Sequence, residues 1–226
     1  MVSIFAVNIN DEAAAPIDLL CELISSERQN KIKRFRFEDD KKRSLYGELL
    51  VRAIYASIYD CESSRIKINY NDYGKPYIVS DSEPLLKYNL SHSGDWVLCG
   101  ISDSEIGVDI ERVDNCMDGI AERFFTAEEQ EYIRKRSKDD LEGFYQIWCA
   151  KECYMKWTGK GLAIPMDSFT CDIKRRTIFD NNLIQEVRLH TCALDKGYQI
   201  MICCEEQQDY MLPVERMSLK KIVSSL

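Results

Sequence analysis

Residues 106–111 read Ile106-Gly-Val-Asp-Ile-Glu111, and they form the most informative segment of the chain. In a β-strand alternate side chains share a face, so Asp109 and Glu111 project together. Val108 and Ile110 point to the opposite side, and a strand that is apolar on one side commonly lies near the centre of a protein. The pattern therefore predicts a partly buried strand with two carboxylates side by side.

A third carboxylate points to a cation site. Neighbouring carboxylates repel each other unless a positive group lies between them, and a hard divalent cation with oxygen ligands meets that need. Glu152 lies in a helix predicted over 141–157, on one stripe with Trp148 and Lys156, because these residues are four apart. An Asp–Glu–Glu set suits Mg²⁺ and leaves positions for a diphosphate, which Lys156 would contact. The alternatives are an edge strand with a polar face and a surface Glu152–Lys156 pair.

Around this segment, strands and helices occur in clusters. The hydrophobic pattern predicts helices that open near Ser26 and cover 38–59, 141–157 and 214–225, with a further helix opening at Thr126 and Gly159 ending the one over 141–157. Strands are predicted over 3–9, 66–70, 77–79, 88–90, 96–102, 105–110, 168–174, 186–191 and 198–204. This order is α+β rather than a regular βαβ alternation. Blocks 1–105 and 106–226 permit two similar halves without establishing them.

Composition narrows the class of protein. With 226 residues, of which 45% are hydrophobic and 30% charged, the chain is long enough for a sizeable core. A net charge of −8 argues against general nucleic-acid binding.

No apolar run reaches the roughly 20 residues of a membrane span, and the N-terminus does not resemble a secretory signal, so a cytoplasmic protein is expected. The 10 cysteines contain no CxxC pair, so free thiols are expected, and zinc is not.

Two polar segments could bind an anion. Between Ser26 and Arg43 the sequence has eight basic and four acidic residues. This basic segment is either a solvated helix face or an anion site. The stretch Asn89-Leu-Ser-His-Ser-Gly-Asp95 is expected to be a polar turn between strands. Its backbone amides, the Ser91 hydroxyl and the His92 imidazole would donate to an anion.

Glu129 has two interpretations. Thr126-Ala-Glu-Glu129 is a capping box, in which Glu129 accepts a hydrogen bond from the backbone N–H of Thr126. Spacing alone therefore favours a structural role for this carboxylate.

Together these elements resemble the 4′-phosphopantetheinyl transferase family, in particular its long, monomeric type that activates peptide synthetases such as surfactin synthetase. The matching stretches follow the family's order with family-like spacing, and weaker similarity extends over almost the whole chain. They are Tyr73-Gly-Lys-Pro76, Asn89-Leu-Ser-His-Ser-Gly94, Ile106-Gly-Val-Asp-Ile-Glu111, Arg123-Phe-Phe-Thr-Ala-Glu-Glu129, Trp148-Cys-Ala-Lys-Glu152 with Lys156, and Gly159-Lys-Gly-Leu162. Each motif is weak alone, but their ordered co-occurrence is specific.

The resemblance implies a fold and a set of site residues. The fold is a pseudo-dimer of two α+β halves, each a small antiparallel sheet packed on a long helix, with the active site in the cleft between them. By position, Asp109, Glu111 and Glu152 match magnesium ligands, and Lys151 and Lys156 match diphosphate contacts. Ser91 and His92 match a phosphate-binding turn, Lys75 and Pro76 match the turn beside the adenine, and Arg28, Lys31 and Arg43 match contacts of the 3′-phosphate. Glu129 and Lys156 match catalytic residues, with Glu129 as the general base.

The implied activity is the transfer of 4′-phosphopantetheine from coenzyme A to a serine of an apo acyl or peptidyl carrier protein, with Mg²⁺ as cofactor. Partners would be carrier proteins of peptide synthetases or of polyketide or fatty acid synthesis, and the enzyme would be a monomer. Two departures are modest: Arg28 stands where lysine is common, and Cys149 where serine is frequent. The alternatives are a magnesium-dependent nucleotide-diphosphate hydrolase and a non-catalytic coenzyme A-binding protein.

Overall fold

The structure, a computed structural model, describes residues 1–12, 15–79, 86–114, 119–136, 141–181, 183–207 and 211–226. Within these ranges the protein is α+β. The helices are α1 (Ile17–Cys21), α2 (Ser26–Ile32), α3 (Glu38–Tyr59), α4 (Ile120–Phe124), α5 (Ala127–Arg136), α6 (Leu141–Thr158) and α7 (Leu219–Ser224), with 3₁₀ turns at Ser63–Arg65, Gly161–Ala163 and Met166–Ser168. The strands are β1 (Val2–Asn8), β2 (Lys67–Tyr70), β3 (Pro76–Val79), β4 (Lys87–Ser93), β5 (Trp96–Ser102), β6 (Gly107–Arg112), β7 (Phe169–Asp172), β8 (Thr177–Asp180), β9 (Leu183–Ile184), β10 (Arg188–His190), β11 (Tyr198–Cys204) and β12 (Val214–Arg216).

The strands of the described ranges form four sheets, of which two position the site. The first has the order β12-β1-β5-β4, and the second has the order β10-β11-β6. Strands β2 and β3 form a hairpin, and β7, β8 and β9 form a small antiparallel sheet. Only the β1–β12 pairing is parallel among these ladders, which agrees with an α+β protein built largely from local antiparallel pairs.

Alternation of side chains along the strands builds the layers. In β5, Val97, Cys99 and Ile101 pack with the buried face of α3. Trp96 and Leu98, on the other face of β5, pack against the second sheet. The period of two therefore places the first sheet between α3 and the second sheet.

The second sheet repeats this pattern with the other long helix. Ile200 and Ile202 of β11 face the first sheet, whereas Met201 and Cys203 pack with α6. The layers thus follow the order α3, first sheet, second sheet, α6. Each sheet carries one long helix on its outer face.

The ends of the long helices follow from local sequence. The prediction of a helix over 38–59 is confirmed at both ends. Helix α6 ends at Thr158, and Gly159 then adopts a left-handed backbone conformation with φ of 71°, which glycine tolerates best. The position predicted for this helix end is therefore confirmed.

The C-terminal prediction is partly wrong. A single helix was expected over 214–225, but residues 214–216 form β12, which pairs in parallel with β1, and Ile4 lies opposite Val214. The hydroxyl of Ser218 then caps α7 by accepting a hydrogen bond from the Lys221 amide at 3.3 Å. The helical pattern is real but shorter, because β1 offers a strand edge that sequence periodicity does not reveal.

Free thiols and membrane spans can be checked in the described ranges. The nine cysteines there are free, and seven of them are buried, which confirms the expectation of free thiols; Cys116 lies outside the described residues. No helix within the same ranges is both long and apolar enough to cross a membrane.

Gly107 allows β6 to approach α6. A β-carbon at this position would overlap the backbone carbonyl oxygen of Cys153 and would lie 2.6 Å from the amide nitrogen of Trp157. Strand and helix therefore meet backbone to backbone, a closeness that only glycine permits.

Gly107→Ala should lower the free energy of unfolding by about 3 kcal/mol, because β6 and α6 would have to separate. Gly47→Ala is a matched control in α3. Its β-carbon would meet the Leu90 side chain at an ordinary 3.5 Å, and alanine should stabilise the helix by up to about 1 kcal/mol. Urea unfolding followed by circular dichroism measures both variants. A Gly107→Ala protein as stable as the wild type would contradict the close approach.

Candidate active site

Strand β6 carries two carboxylates on the side that faces α6. The predicted alternation is confirmed, since Val108 and Ile110 are fully buried between the two sheets. Asp109 is only 2% exposed, and Glu111, near the end of the strand, is partly exposed. The pairing of β6 with β11 fixes the register of both residues.

Helix α6 brings an ammonium group to the buried carboxylate. Lys156 Nζ lies 2.5 Å from Asp109 Oδ1 and also donates to the Ser91 hydroxyl at 3.0 Å and to the carbonyl of Val108 at 3.2 Å. Glu152 lies one helical turn before Lys156, on the same stripe of α6. Asp109 and Lys156 are therefore in direct contact, and the set of Asp109, Glu111 and Glu152 as metal ligands stays a prediction.

Strand β4 lies beside β6 and is joined to it by side chains. Three polar side chains of β4 accept hydrogen bonds from alternate backbone amides of β6, those of residues 108, 110 and 112. The pairs are Val108 N with Asn89 Oδ1 (2.9 Å), Ile110 N with Ser91 Oγ (3.3 Å) and Arg112 N with Ser93 Oγ (3.1 Å). These contacts form a side-chain ladder between the edges of the two sheets, at the place where the carboxylates lie.

This strand corrects the predicted turn at Asn89–Asp95. Ser91 and His92 lie within β4 rather than in a loop, and the chain reverses only at Gly94. Ser91 is buried and donates its hydroxyl proton to Asp109 Oδ1 at 2.8 Å, whereas His92 is exposed. The polar residues were predicted as a turn because their hydrogen-bond partners belong to another sheet.

Burial and mutual repulsion raise the pKa values of two carboxyl groups of the cluster. Burial and the charge of Asp109 raise the pKa of Glu152 to about 7, against the opposing ammonium of Lys156. Burial and Asp109 also raise the pKa of Glu111, although a hydrogen bond from Ser93 acts in the other direction. Burial lowers the pKa of Lys156, but the attraction of Asp109 outweighs it and the net shift is upward. The upward shifts of the two glutamate pKa values show that the site disfavours a further negative charge unless a cation compensates it.

The residues present fit a hard divalent cation. Asp109 Oδ2 is buried and has no hydrogen-bond partner among the described residues, which is costly for a carboxylate oxygen unless a positive group binds it. The oxygen donors of Asp109, Glu111 and Glu152 are the type that Mg²⁺ prefers. No three acidic, histidine or cysteine side chains in the described ranges are already gathered at metal-ligand spacing, and Lys156 makes the direct contact with Asp109.

Glu129 and Lys151 form a separate buried network. Glu129, 1% exposed, accepts from the amides of Cys171 at 2.7 Å and Thr126 at 2.8 Å, and pairs with Lys151 Nζ at 2.8 Å. The Thr126 contact confirms the Glu129 half of the capping box. Lys151 is fully buried and also donates to the carbonyls of Met166, before β7, and of Phe169, at the start of β7, at 2.7 and 2.8 Å. Their predicted roles as base and diphosphate contact remain predictions.

The residues predicted to contact the 3′-phosphate lie on α2 and at the start of α3. Arg43 donates to the carbonyl of Gly94 at 2.6 Å, which places the first turns of α3 beside the end of β4. Arg28 pairs with buried Glu48 at 3.4 Å, and Lys31 is exposed. These basic residues were predicted from the sequence, whereas the buried carboxylate that holds Arg28 was not.

The turn with Lys75 and Pro76 is attached to the second sheet and α6. Lys75 Nζ pairs with Glu105 at 2.6 Å and donates to the carbonyls of Ile106 and Trp157 at 3.3 Å each. Pro76 begins β3. The β2–β3 hairpin is therefore anchored to the segment just before β6 and to the last turn of α6.

Sequence reasoning missed Ser93 as a residue of the site. Its hydroxyl donates to Glu111 Oε2 at 2.7 Å. The signal was present in the alternation Asn89-x-Ser91-x-Ser93, which puts three polar side chains on one face of a strand.

Comparison with known proteins agrees with this geometry. A model of the 4′-phosphopantetheinyl transferase superfamily matches residues 105–203, and a model described as 4′-phosphopantetheinyl transferase, N-terminal, matches residues 13–103. The chain is 34% identical to the 4′-phosphopantetheinyl transferase ffp of Bacillus subtilis, with 82% of this chain and 84% of that protein covered.

Two further relatives have the same level of similarity. The 4′-phosphopantetheinyl transferase gsp of Aneurinibacillus migulanus is 34% identical, with 90% of this chain and 86% of that protein covered. The 4′-phosphopantetheinyl transferase Sfp of Bacillus subtilis strain 168 is also 34% identical, with 80% and 81% covered. With the acidic cluster on β6 and α6 inside the matched region, the chain belongs to the 4′-phosphopantetheinyl transferase superfamily.

Proposed function

We propose that the enzyme transfers the 4′-phosphopantetheine group of coenzyme A to a serine of an apo carrier protein and releases adenosine 3′,5′-bisphosphate. The observation that carries this proposal is the buried Asp109 in a chain of this superfamily: it shares a face of β6 with Glu111, pairs with Lys156, and has one oxygen without a partner among the described residues. The serine oxygen bonds to the β-phosphorus, and the bond from that phosphorus to the bridging oxygen breaks. The serine proton passes to a general base.

The acidic cluster supports a magnesium-dependent reaction. Asp109, Glu111 and Glu152 would hold Mg²⁺, which when bound offsets the charge of the diphosphate in the transition state. Lys156 contacts Asp109 at 2.5 Å and is partly exposed, so its ammonium can reach a phosphate oxygen without leaving the cluster. Its charge would stabilise the departing bisphosphate.

The other predicted contacts are consistent with a coenzyme A site at the junction of the two sheets. We infer that the α3-bearing and α6-bearing layers are the two similar halves of a pseudo-dimer, with the substrate in the cleft between them. Ser91 and His92 would contact phosphate, Lys75 and Pro76 would lie beside the adenine, and Arg28, Lys31 and Arg43 would bind the 3′-phosphate. The acceptors would be carrier proteins of peptide synthetases or of polyketide or fatty acid synthesis, bound by a monomeric, cytoplasmic enzyme.

The proposed base, Glu129, is engaged in a buried ion pair. Both of its oxygens already accept hydrogen bonds, from two backbone amides and from Lys151. Because Glu129 is only 1% exposed, a substrate serine can reach this carboxylate only if the surrounding structure opens. Stability and turnover of variants at these two positions separate a base from a structural clamp.

Asp109→Asn should reduce transfer about a thousandfold or more, because a neutral amide is a much weaker ligand for a divalent cation than a carboxylate and forms no ion pair with Lys156. The assay is mass spectrometry of an apo carrier protein incubated with coenzyme A and Mg²⁺. Asp103→Asn, at an exposed carboxylate paired with the N-terminus, is the matched control and should transfer normally. Near-normal turnover of Asp109→Asn would rule out the metal assignment. Release of the bisphosphate without a carrier protein would indicate a hydrolase instead.

Glu129→Gln should lower the free energy of unfolding by about 3 kcal/mol, because it leaves the buried Lys151 ammonium without its counter-charge. The double variant Glu129→Gln/Lys151→Met removes both charges and should recover most of that loss. Urea unfolding measures stability, and the carrier assay measures turnover of the folded variants. A folded double variant without activity would assign catalysis to the pair, whereas an active one would make it structural. Unchanged stability of Glu129→Gln would contradict the buried ion pair.

A further inference from the structure

The Ser93 hydroxyl has only one proton, and the structure determines where it goes. The Arg112 amide can only donate, so Ser93 Oγ accepts that hydrogen bond at 3.1 Å. The hydroxyl proton is then left for Glu111 Oε2 at 2.7 Å. The Ser93 side chain therefore couples the position of the Glu111 carboxylate to that of the β6 backbone.

Glu111 needs such support more than Asp109 does. Asp109 is short, almost fully buried, and held by both Lys156 and Ser91. Glu111 has one more rotatable bond and is partly exposed, so fixing it in a single rotamer costs more conformational entropy. A hydrogen bond that selects one rotamer before a ligand binds removes part of that cost.

We propose that Ser93 is a positioning residue that fixes the Glu111 carboxylate for binding the divalent cation. The inference rests on the proposed function, because it takes Glu111 as a metal ligand. Outer-sphere partners that orient ligands commonly contribute about 10- to 100-fold to metal affinity. Ser93 acts through Glu111 and does not itself touch the reacting atoms.

The ladder offers a matched control for a merely structural role. Asn89 accepts a hydrogen bond from the Val108 amide at 2.9 Å, as Ser93 does from Arg112. The hydrogen bonds of Asn89 to β6 involve no carboxylate. Removing the Asn89 contact therefore weakens the ladder without releasing a metal ligand.

The test is direct binding of Mn²⁺ to the full chain, measured by electron paramagnetic resonance without coenzyme A, at a temperature where circular dichroism shows every variant folded. Ser93→Ala should raise the Kd for Mn²⁺ about tenfold. Ser93→Thr keeps the hydroxyl and should stay within about threefold of the wild type, and Asn89→Ala should do the same. In the carrier assay, Ser93→Ala should need more Mg²⁺ for half-maximal rate and approach the wild-type rate at saturation.

The outcomes are distinguishable. An unchanged Kd in Ser93→Ala overturns the inference, as does an equal rise in Ser93→Ala and Asn89→Ala, which would mark the ladder as purely structural. A wild-type protein that transfers but binds no Mn²⁺ overturns the metal assignment and this inference together. A wild-type protein that binds Mn²⁺ without any carrier transfer overturns the proposed function, while the comparison of Kd values still decides the role of Ser93.

Discussion

The ion pair between the Lys156 ammonium and the Asp109 carboxylate joins the elements that form the site. A carboxylate that is 2% exposed costs several kcal/mol to bury without a partner. Lys156 supplies that partner from α6, and it also donates to Ser91 on β4 and to the carbonyl of Val108 on β6. A shift of α6 or β6 would leave a buried charge uncompensated, and a shift of β4 would remove the Ser91 hydroxyl from both charged groups. The requirement for charge compensation therefore fixes the geometry of the cluster.

Two lysines of α6 differ in their exposure to solvent and in their partners. The side chain of Lys156 is 26% exposed, whereas that of Lys151 is 0% exposed. The described partners of Lys151 are Glu129, two backbone carbonyls and the Phe169 ring, and they hold α5 and residues 166–169 against α6. The partial exposure of Lys156 is consistent with its proposed contact with a phosphate. A phosphate contact at Lys151 would require opening the core, because no solvent reaches its ammonium.

The parts of the fold that local periodicity determines were predictable. Helix α3 was predicted with its observed ends, and the alternation in β6 correctly put Asp109 and Glu111 on one face. Two of the errors occurred where hydrogen-bond partners are distant in sequence. Residues 91–93 were predicted as a turn, although they continue β4, because the amides that pair with their side chains belong to β6. Strand β12 was missed because it exists only against the free edge of β1.

The side-chain ladder explains why the site lies where two sheets meet. Neither β4 nor β6 pairs with the other through its main chain, yet both lie at the edge of their own sheet. Edge strands leave amides without partners, and exposed amides favour unwanted pairing with other chains. The β4 side chains satisfy these β6 amides and, through Ser91 and Ser93, also contact the carboxylates. The same hydrogen bonds thus satisfy the edge amides of β6 and position the carboxylates. The acidic cluster therefore requires both sheets, even though its carboxylates come from only one block of the sequence.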